Sequence, residues 1–306
     1  MSLMDTRAAA GAGSYALGGN KVARMGYGAM QLERCAADPA KAIALLGRAF
    51  DLGVDHVDTA QFYGDGFANE MIGKALRSRT DISVASKVGA DPNPGGEIPI
   101  RPAQRPEQLR ASVEDNLRSL GTDCIPVVNL RRLDVGPGIK AVGDQLVDLD
   151  DQLAMRTALR DEGKIGAIGL SGVDLQSLER AQPAGIACVQ NAYSLISRQF
   201  EDMLALCIAR GIAWAPFFPL GGAFPGWPKV TEEPKVIELA LRLGVTPSQL
   251  GLAWLLAHAP NMLLIPGTAD PKHLVENVSA AAIRLSLDVI EELDHLNSRP
   301  ISAIEL

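Results

Sequence analysis

Four side chains in the first half of the sequence have the types and spacing that proton transfer to a small molecule needs. Asp58 ends one short apolar run and is followed by Tyr63, and Lys87 and Arg131 end two later apolar runs. A phenol has a pKa of about 10, so it exchanges protons near neutral pH only beside a cation. Lys87 would supply that cation, and Asp58 the counter-charge that a buried lysine needs. The set predicts a tyrosine acid beside a lysine and aspartate pair.

The same residues have two other interpretations. A lysine and an aspartate at strand ends can form an ion pair whose only role is structural. A lysine that ends an apolar strand can also act as a Schiff-base nucleophile in an aldolase-type lyase. That role needs a pKa lowered by burial, whereas an aspartate partner keeps Lys87 charged. The nearby Tyr63 favours proton transfer over both alternatives.

The elements that would position these residues alternate along the chain. Apolar runs typical of strands fall at residues 23–28, 56–58, 82–87, 127–131, 167–171, 189–191, 213–217 and 263–265. Amphipathic segments typical of helices fall at 39–52, 69–76, 106–120, 146–162, 175–181, 201–210, 234–257 with a break near Gly244, and 271–278. A further helix is predicted at 287–296. Gly53, Gly121, Gly163 and Gly211 stand where a left-handed residue ends a helix.

Eight strands, each followed by a helix, predict an α/β fold, a (β/α)8 TIM barrel, as a single domain over residues 1–306 with an extra C-terminal helix. Active sites of such barrels lie at the C-terminal ends of the strands, where Asp58, Lys87 and Arg131 stand. The segments 89–105 and 134–144 are predicted to be long loops at that end.

A doubly wound sheet is the alternative fold. Its glycine fingerprint has a superficial match at Gly11-Ala12-Gly13-Ser14-Tyr15-Ala16. No strand precedes that match, so the segment is predicted to be flexible, within an N-terminal loop or hairpin over residues 1–20.

Composition narrows the class of function. Of the 306 residues 47% are hydrophobic, which excludes disorder, and the net charge of −7 leaves no basic surplus for nucleic acid. The uncharged stretches are too short or too rich in proline and glycine to cross a membrane. Cys35, Cys124, Cys188 and Cys207 have neither disulfide nor metal-site spacing. We expect a cytoplasmic protein that binds no metal and is a monomer or a weak homo-oligomer.

A longer motif begins at Asp58. It reads Asp58-Thr59-Ala60-Gln61-Phe62-Tyr63-Gly64 and then Asn69-Glu70-Met71-Ile72-Gly73-Lys74-Ala75-Leu76, with Lys87 closing the next strand. This motif resembles the signature of the aldo-keto reductase family, and the resemblance extends over about residues 26–296. It implies an NADPH-dependent reductase of small carbonyl compounds. Tyr63 would be the general acid, Lys87 would lower its pKa and Asp58 would hold Lys87.

The resemblance also implies where NADP(H) would lie, across the barrel mouth. Gly28, Ala29 and Met30 would line the first turn, Phe217 would stack on the nicotinamide unless it is a core aromatic, and Asp58, Ser171 and Gln190 would lie at the nicotinamide end. The other implied cofactor residues are Pro219, Leu220, Gly221, Gly222, Pro266, Gly267, Thr268, Lys272, His273, Glu276 and Asn277. The family usually places a basic residue before the Glu-Asn pair to bind the 2′-phosphate. His273 beside Lys272 holds that place, which favours NADP over NAD.

Two positions depart from the family pattern. Arg131 stands where the family usually has a histidine that orients the carbonyl, and Gly172 stands where it usually has an asparagine. Arginine donates hydrogen bonds but cannot shuttle a proton, so Arg131 is expected to orient and stabilise only. Ser171 and Gln190 would then hold the carboxamide without help from residue 172.

Arg131, taken with the segments 26–32, 216–222 and 263–268, resembles a bacterial branch of the family that includes pyridoxal reductases. This predicts reduction of pyridoxal to pyridoxine, with Arg131 and Phe62 contacting an aromatic aldehyde. The missing histidine leaves one more alternative, a regulatory module that binds cofactor with little turnover.

Overall fold

The strands and helices of the computed structural model follow the alternation that the sequence predicts. Residues 5–77, 79–133, 135, 139–222 and 226–301 are described. Their strands are β1 Ser14–Leu17, β2 Asn20–Ala23, β3 Tyr27–Gly28, β4 His56–Asp58, β5 Ser83–Val88, β6 Ala90–Pro92, β7 Ile100–Pro102, β8 Ile125–Arg131, β9 Ile165–Ser171, β10 Ile186–Gln190 and β11 Ala213–Trp214.

A curved parallel sheet forms the centre of the molecule. Its strand order is β11-β10-β9-β8-β5-β4-β3. Parallel bridges from Met25 to Leu264 and from Trp214 to Met262 place the segment 262–264 between the two edge strands. The segment predicted as a strand at 263–265 therefore takes the eighth strand position and closes the sheet. The predicted (β/α)8 fold is confirmed.

Ten α-helices of the described part surround and cap this sheet. They are α1 Pro39–Asp51, α2 Phe67–Leu76, α3 Pro106–Leu120, α4 Leu149–Asp161, α5 Leu175–Ala181, α6 Glu201–Arg210, α7 Pro234–Leu243, α8 Pro247–His258, α9 Pro271–Ser279 and α10 Leu287–Asp294. Helix α4 begins three residues later than predicted, because the Asp148 carboxylate accepts the Asp150 N–H and caps it. Gly53, Gly121, Gly163 and Gly211 all have positive φ, as predicted.

No helix of the described residues is long and apolar enough to cross a membrane by itself. Helices α7 and α8 pass that test of length and composition only as a pair, and they are bent by 92° where they meet. The bend lies at the predicted break, because Gly244 has φ 68° and ends α7.

Three predicted loops or strands differ in the structure. The segment 89–105 contains the antiparallel hairpin β6–β7, whose turn is held by Asn93 Nδ2 donating to the Ile98 carbonyl at 2.9 Å. The glycine-rich segment 11–16 is ordered as the end of a 3-10 helix, Asp5–Ala12, and the start of β1. The predicted strand 213–217 is paired in the sheet only at Ala213–Trp214. Within the predicted loop 134–144, residues 134 and 136–138 lie outside the described residues.

The N-terminal hairpin β1–β2 closes the end of the barrel opposite the strand C-termini. Leu17 and Val22 pack in one cluster with inward-facing barrel residues, namely Ala85, Val127, Cys188, Ala213 and Leu263. Parallel strands place all their C-terminal ends at the other mouth, so chemistry and closure occupy opposite ends of the barrel.

Candidate active site

The strand pairing brings the three predicted strand-end residues to one mouth of the barrel. Asp58 ends β4 and pairs in register with Ala85, two residues before Lys87 on β5. Lys87 in turn pairs with Asn129, two residues before Arg131 on β8. Asp58 and Lys87 are almost fully buried, at 3% and 4% exposure. Adjacent parallel strands thus deliver a carboxylate, an ammonium and a guanidinium to the same region.

Lys87 and Asp58 form a buried ion pair in which both carboxylate oxygens of Asp58 accept a hydrogen bond. The Lys87 ammonium donates to Asp58 Oδ1 and, at 3.1 Å, to the Thr59 carbonyl. Gln190 Nε2 donates to Asp58 Oδ2 at 2.6 Å. Burial by itself lowers the pKa of Lys87, but the charges of Asp58 and Tyr63 outweigh it and the pKa is raised. Lys87 therefore stays protonated, which removes the lone pair that a Schiff-base nucleophile needs.

Tyr63 lies over the ion pair on the loop that follows β4. The Lys87 Nζ atom is 5.1 Å from the centre of the Tyr63 ring, and the nearby phenol helps to raise the pKa of Lys87. The Phe62 ring meets the Tyr63 ring edge-on at 5.1 Å. The Tyr63 side chain remains partly exposed. A partly exposed phenol beside a fixed ammonium can give a proton to a ligand at the mouth.

Arg131 reaches the same space from β8. Its Cζ atom lies 5.8 Å from the centre of the Phe62 ring. Burial lowers the pKa of Arg131, and the charge of Tyr63 opposes that shift, so the guanidinium and the phenol share one environment. Arg131 therefore stands where it could contact a ligand bound at Tyr63.

Sequence reasoning missed a glutamine that fixes Arg131. Gln104, 2% exposed, donates from Nε2 to the Gly89 carbonyl at 2.5 Å and to the Arg131 carbonyl at 2.8 Å. Gln152 Nε2 donates in turn to the Gln104 side-chain oxygen at 3.0 Å. Gly89 has φ 105°, and a Cβ there would collide with the Arg131 carbonyl. These contacts tie the ends of β5 and β8 together. In the sequence, only Gly89, two residues after Lys87, could have indicated these contacts.

A second buried network fixes the loop that carries Tyr63. Thr59 Oγ1 donates to Asn69 Oδ1 at 2.8 Å, and Asn69 Nδ2 donates to Asn116 Oδ1 at 2.8 Å. Ser86 Oγ donates to the same Asn116 oxygen at 2.6 Å. Thr59 and Ser86 are the chain neighbours of Asp58 and Lys87. Asn69 belongs to the motif that begins at Asp58. Its hydrogen bonds explain why this buried position on α2 carries an amide.

Of the implied cofactor residues, Gln190 contacts the ion pair and Ser171 lies opposite Gln190 on the neighbouring strand. Gln190 is buried, and its Oε1 atom has no hydrogen-bonding partner among the described residues. Ser171 ends β9, which pairs with β10 at Gln190. Gly172 has φ 62° and donates its N–H to the Gln190 carbonyl at 3.0 Å. A free amide acceptor at this depth fits a carboxamide N–H, so the residues present fit the nicotinamide end of NADP(H). Both Asp58 oxygens are already bonded within the protein.

Several glycines of the implied cofactor site are needed by the protein itself. A Cβ at Gly28 would collide with the Ile265 carbonyl, and one at Gly267 would collide with the Gly28 carbonyl. Gly221 and Gly222 have φ 69° and 68°, and Gly221 forms a bridge with Lys229. Close packing of strand on strand and a left-handed turn thus account for these glycines.

The remaining implied residues lie on loops at the same mouth. Ala29 and Met30 begin the 3-10 helix Ala29–Cys35, and Phe217 meets Phe218 edge-on at 5.2 Å. Pro219 is buried, whereas the Leu220 side chain packs toward Gly251 of α8. Pro266 accepts the Gly28 N–H at 3.5 Å, and the Thr268 carbonyl accepts the Tyr27 hydroxyl at 2.7 Å.

Helix α9 carries the implied 2′-phosphate residues. Lys272 and His273 are exposed in its first turn, and Glu276 and Asn277 follow, half-buried. The Asp270 carboxylate accepts the N–H groups of Lys272, at 2.7 Å, and His273, at 3.4 Å. An anion at this helix would therefore be held by side chains, because the cap occupies these two amides.

A (β/α)8 barrel with a tyrosine, a lysine and an aspartate at its C-terminal mouth defines a class of carbonyl-reducing enzymes. Among the described residues no group of three or more His, Cys, Asp or Glu side chains could hold a metal ion. The model of the Aldo/keto reductase family matches residues 24–298. The chain belongs to the aldo/keto reductase family and is an oxidoreductase.

Similar proteins have been described in bacteria and yeast. The chain is 38% identical over 291 residues to pyridoxine 4-dehydrogenase of Escherichia coli, covering 93% of this chain and 98% of that one. It is 32% identical over 289 residues to an uncharacterized oxidoreductase of Schizosaccharomyces pombe, covering 92% and 89%. The crystal structure of an aldo-keto reductase from Klebsiella pneumoniae in complex with NADPH superposes with a TM-score of 0.77 at 28% identity, covering 94% and 95%.

Proposed function

We propose that the protein reduces aldehydes with NADPH, that Tyr63 is the general acid, and that pyridoxal, which becomes pyridoxine, is its substrate. The observation that carries the proposal is the position of Tyr63 over the buried pair of Lys87 and Asp58, with the Lys87 Nζ atom 5.1 Å from the centre of the phenol ring. The similarity to a pyridoxine 4-dehydrogenase and to structures that bind NADPH or NADP supports the substrate and the cofactor.

The proposed reaction divides the work among four side chains. NADPH, when bound, supplies the hydride that the carbonyl carbon accepts. Tyr63 gives its phenolic proton to the carbonyl oxygen, and the Lys87 ammonium stabilises the tyrosinate that remains. Asp58 holds the ammonium in place and Arg131 donates a hydrogen bond to the substrate. Solvent then returns a proton to Tyr63 through its exposed side.

Cofactor binding is assigned to the loops around the mouth. Gln190 Oε1 would accept from the carboxamide and Ser171 would donate to it, while Phe217 would lie against the nicotinamide. Lys272 and His273 would bind the 2′-phosphate, so that NADPH is preferred to NADH. The buried, unpartnered Gln190 oxygen is the feature of the chain that supports this arrangement.

Substitution of Tyr63 tests the general acid. Tyr63→Phe removes the proton donor and keeps the ring, so kcat for pyridoxal should fall about 100-fold or more, the usual size of a lost acid. Tyr15→Phe is the matched control, because Tyr15 lies on β1 at the opposite end of the barrel. NADPH oxidation measures kcat, and quenching of NADPH fluorescence checks that the cofactor still binds. Wild-type rates in Tyr63→Phe would show that the assigned acid is wrong.

A cofactor-binding module with little turnover remains the second candidate, because Arg131 replaces the usual histidine. Tight NADPH binding without oxidation by pyridoxal or by a panel of aromatic aldehydes would favour it. Borohydride trapping of substrate on Lys87 would instead favour the lyase, against which the protonated state of Lys87 argues.

A further inference from the structure

The candidate site contains a cation, Arg131, that forms no ion pair with any carboxylate of the described residues. Lys87 is paired with Asp58, whose second oxygen accepts from Gln190. Asp91, on the neighbouring hairpin, accepts the Ser112 hydroxyl at 2.5 Å. Arg131 has no carboxylate partner within the part of the chain that the structure describes. Arg131 is therefore a cation without a paired carboxylate among these residues, although the whole chain has a net charge of −7.

The surroundings of Arg131 make an unpaired charge costly. Phe62 lies beneath the guanidinium and belongs to an apolar cluster with Ala60, Ala90 and Ile100. Burial lowers the pKa of Arg131, as expected of a cation that has lost water without gaining a partner. Arg131 is half-buried, and such a cation is stabilised when a ligand supplies an anion, so an anionic ligand gains affinity that a neutral ligand cannot.

The shape of the arginine side chain restricts where that anion can lie. A guanidinium is a planar fork that can donate to two oxygens at once, unlike an imidazole, which donates along one direction. One oxygen is fixed by the reaction, because the carbonyl that Tyr63 protonates must lie beside Tyr63. The second oxygen must then lie next to the first and in the same plane.

We propose that Arg131 makes the site selective for aromatic aldehydes that carry an anionic oxygen on the ring carbon next to the aldehyde. The guanidinium donates to the carbonyl oxygen and to this ortho oxyanion together. The inference rests on the proposed function and adds to it the substrate class. Pyridoxal belongs to the class, since its ring hydroxyl adjoins the aldehyde and is ionised near neutral pH.

A different role for Arg131 gives the opposite expectation. The guanidinium could serve only to stabilise the tyrosinate of Tyr63, because the charge of Tyr63 acts to raise the pKa of Arg131. Its removal would then slow every aldehyde by the same factor, and an ortho oxyanion would confer no advantage. The two roles are separated by comparing substrates that differ only in the place of one oxygen.

The experiment compares 2-hydroxybenzaldehyde with 4-hydroxybenzaldehyde at a pH where both phenols are ionised. The two isomers have the same charge, and their hydroxyl groups donate electrons to the aldehyde similarly. We expect wild-type kcat/KM to favour the 2-hydroxy isomer about 100-fold, as for a site whose buried group is left unpaired by the wrong substrate. In Arg131→Met the preference should fall to about threefold or less. Arg131→Lys, which keeps the charge and loses the fork, should retain part of it.

The control variant is Arg101→Met. Arg101 is an exposed arginine on β7 at the same mouth, so its loss changes the general field but not the proposed contact. We expect this variant to keep the wild-type preference. Equal loss in both variants would assign the preference to long-range attraction and overturn the proposal.

Binding without turnover separates this inference from the proposed function. Failure of every aldehyde to oxidise NADPH would refute the reductase. Equilibrium binding of the two isomers to the enzyme with NADP+ would still test Arg131. A dissociation constant that is equal for the two isomers in the wild type, or unchanged in preference in Arg131→Met, would overturn the selectivity.

Discussion

Lys87 joins the two halves of the candidate site at the residue scale. It is bonded to Asp58 on one side, and on the other its Nζ atom lies 5.1 Å from the centre of the Tyr63 ring. An ion pair this deep contributes little net stability compared with apolar residues of the same size, but removing one partner leaves the other charge buried and unpaired. Stability and catalysis should therefore respond differently to single and double substitutions of the pair.

Lys87→Met should lower the free energy of unfolding by about 3–5 kcal/mol, because Asp58 stays buried without its cation. Adding Asp58→Asn should recover most of that loss, since the double variant buries no charge. Reductase activity should stay low in both, because Tyr63 has lost its cationic neighbour. Urea denaturation and NADPH oxidation measure the two effects. Recovery of activity in the double variant would show that Lys87 has a structural role only.

The raised pKa of Lys87 also predicts how stability depends on pH. The folded state holds the Lys87 proton more tightly than the unfolded chain does. The stabilisation is therefore complete below the unfolded pKa of about 10.4 and is lost as pH rises toward the higher folded pKa. The unfolding free energy of the wild type should therefore fall relative to that of the Asp58→Asn, Lys87→Met double variant above about pH 10. A wild type that gains stability relative to the double variant as pH rises would contradict the raised pKa.

At the scale of elements, the ends of β5 and β8 hold Lys87 and Arg131 at a fixed separation. Their common partner is Gln104, which follows the β6–β7 hairpin and bonds the carbonyls of Gly89 and Arg131. The hairpin is therefore more than a covering loop. It returns the chain to the point where a buried amide can join the two strands.

Gln104→Met keeps the volume of this side chain and removes both donations. Two buried carbonyls lose a partner, so the free energy of unfolding should fall by about 1–3 kcal/mol. The kcat/KM for pyridoxal should fall about tenfold, because small displacements of a contact residue are amplified at the reacting atoms. Gln182→Met is the control, since the Gln182 side chain donates to the Leu178 carbonyl at 3.2 Å, outside the site. Denaturation and steady-state kinetics report the two quantities.

At the scale of the whole molecule, the barrel separates closure from chemistry. The β1–β2 hairpin fills one mouth with Leu17 and Val22, and the functional side chains occupy the other. Because of this separation, substitutions at the closed end should leave the activity of the enzyme largely unchanged.

Leu17→Ala should leave a cavity beneath the barrel and lower the free energy of unfolding by about 2–5 kcal/mol. The kcat for pyridoxal should remain within about twofold of the wild-type value at a temperature where the variant is folded, since the substituted end carries no catalytic group. Thermal or urea denaturation gives the first quantity and NADPH oxidation the second. A large fall in kcat would show that the two ends are coupled.

The sequence by itself determined the alternation of strands and helices, and hence the barrel. In a parallel barrel, residues such as Asp58 and Lys87 that end neighbouring strands come to the same mouth. The sequence also predicted where helices end. Gly121 and Gly211 have the positive φ that a helix C-terminus favours, and this preference depends only on the local chain. Local propensity and short-range periodicity are properties of sequence, and they were sufficient for these features.

Only the tertiary structure decided which groups are partnered. The bond from Gln104 to the Arg131 carbonyl joins residues 27 positions apart, and that from Gln190 to Asp58 joins residues 132 apart. The same holds for the glycine at 28, whose Cβ space is taken by residue 265. Such contacts depend on strand order and on the curvature of the sheet, which no window of sequence contains. The unpaired charge of Arg131 is likewise visible only when the position of every described carboxylate around the mouth is known.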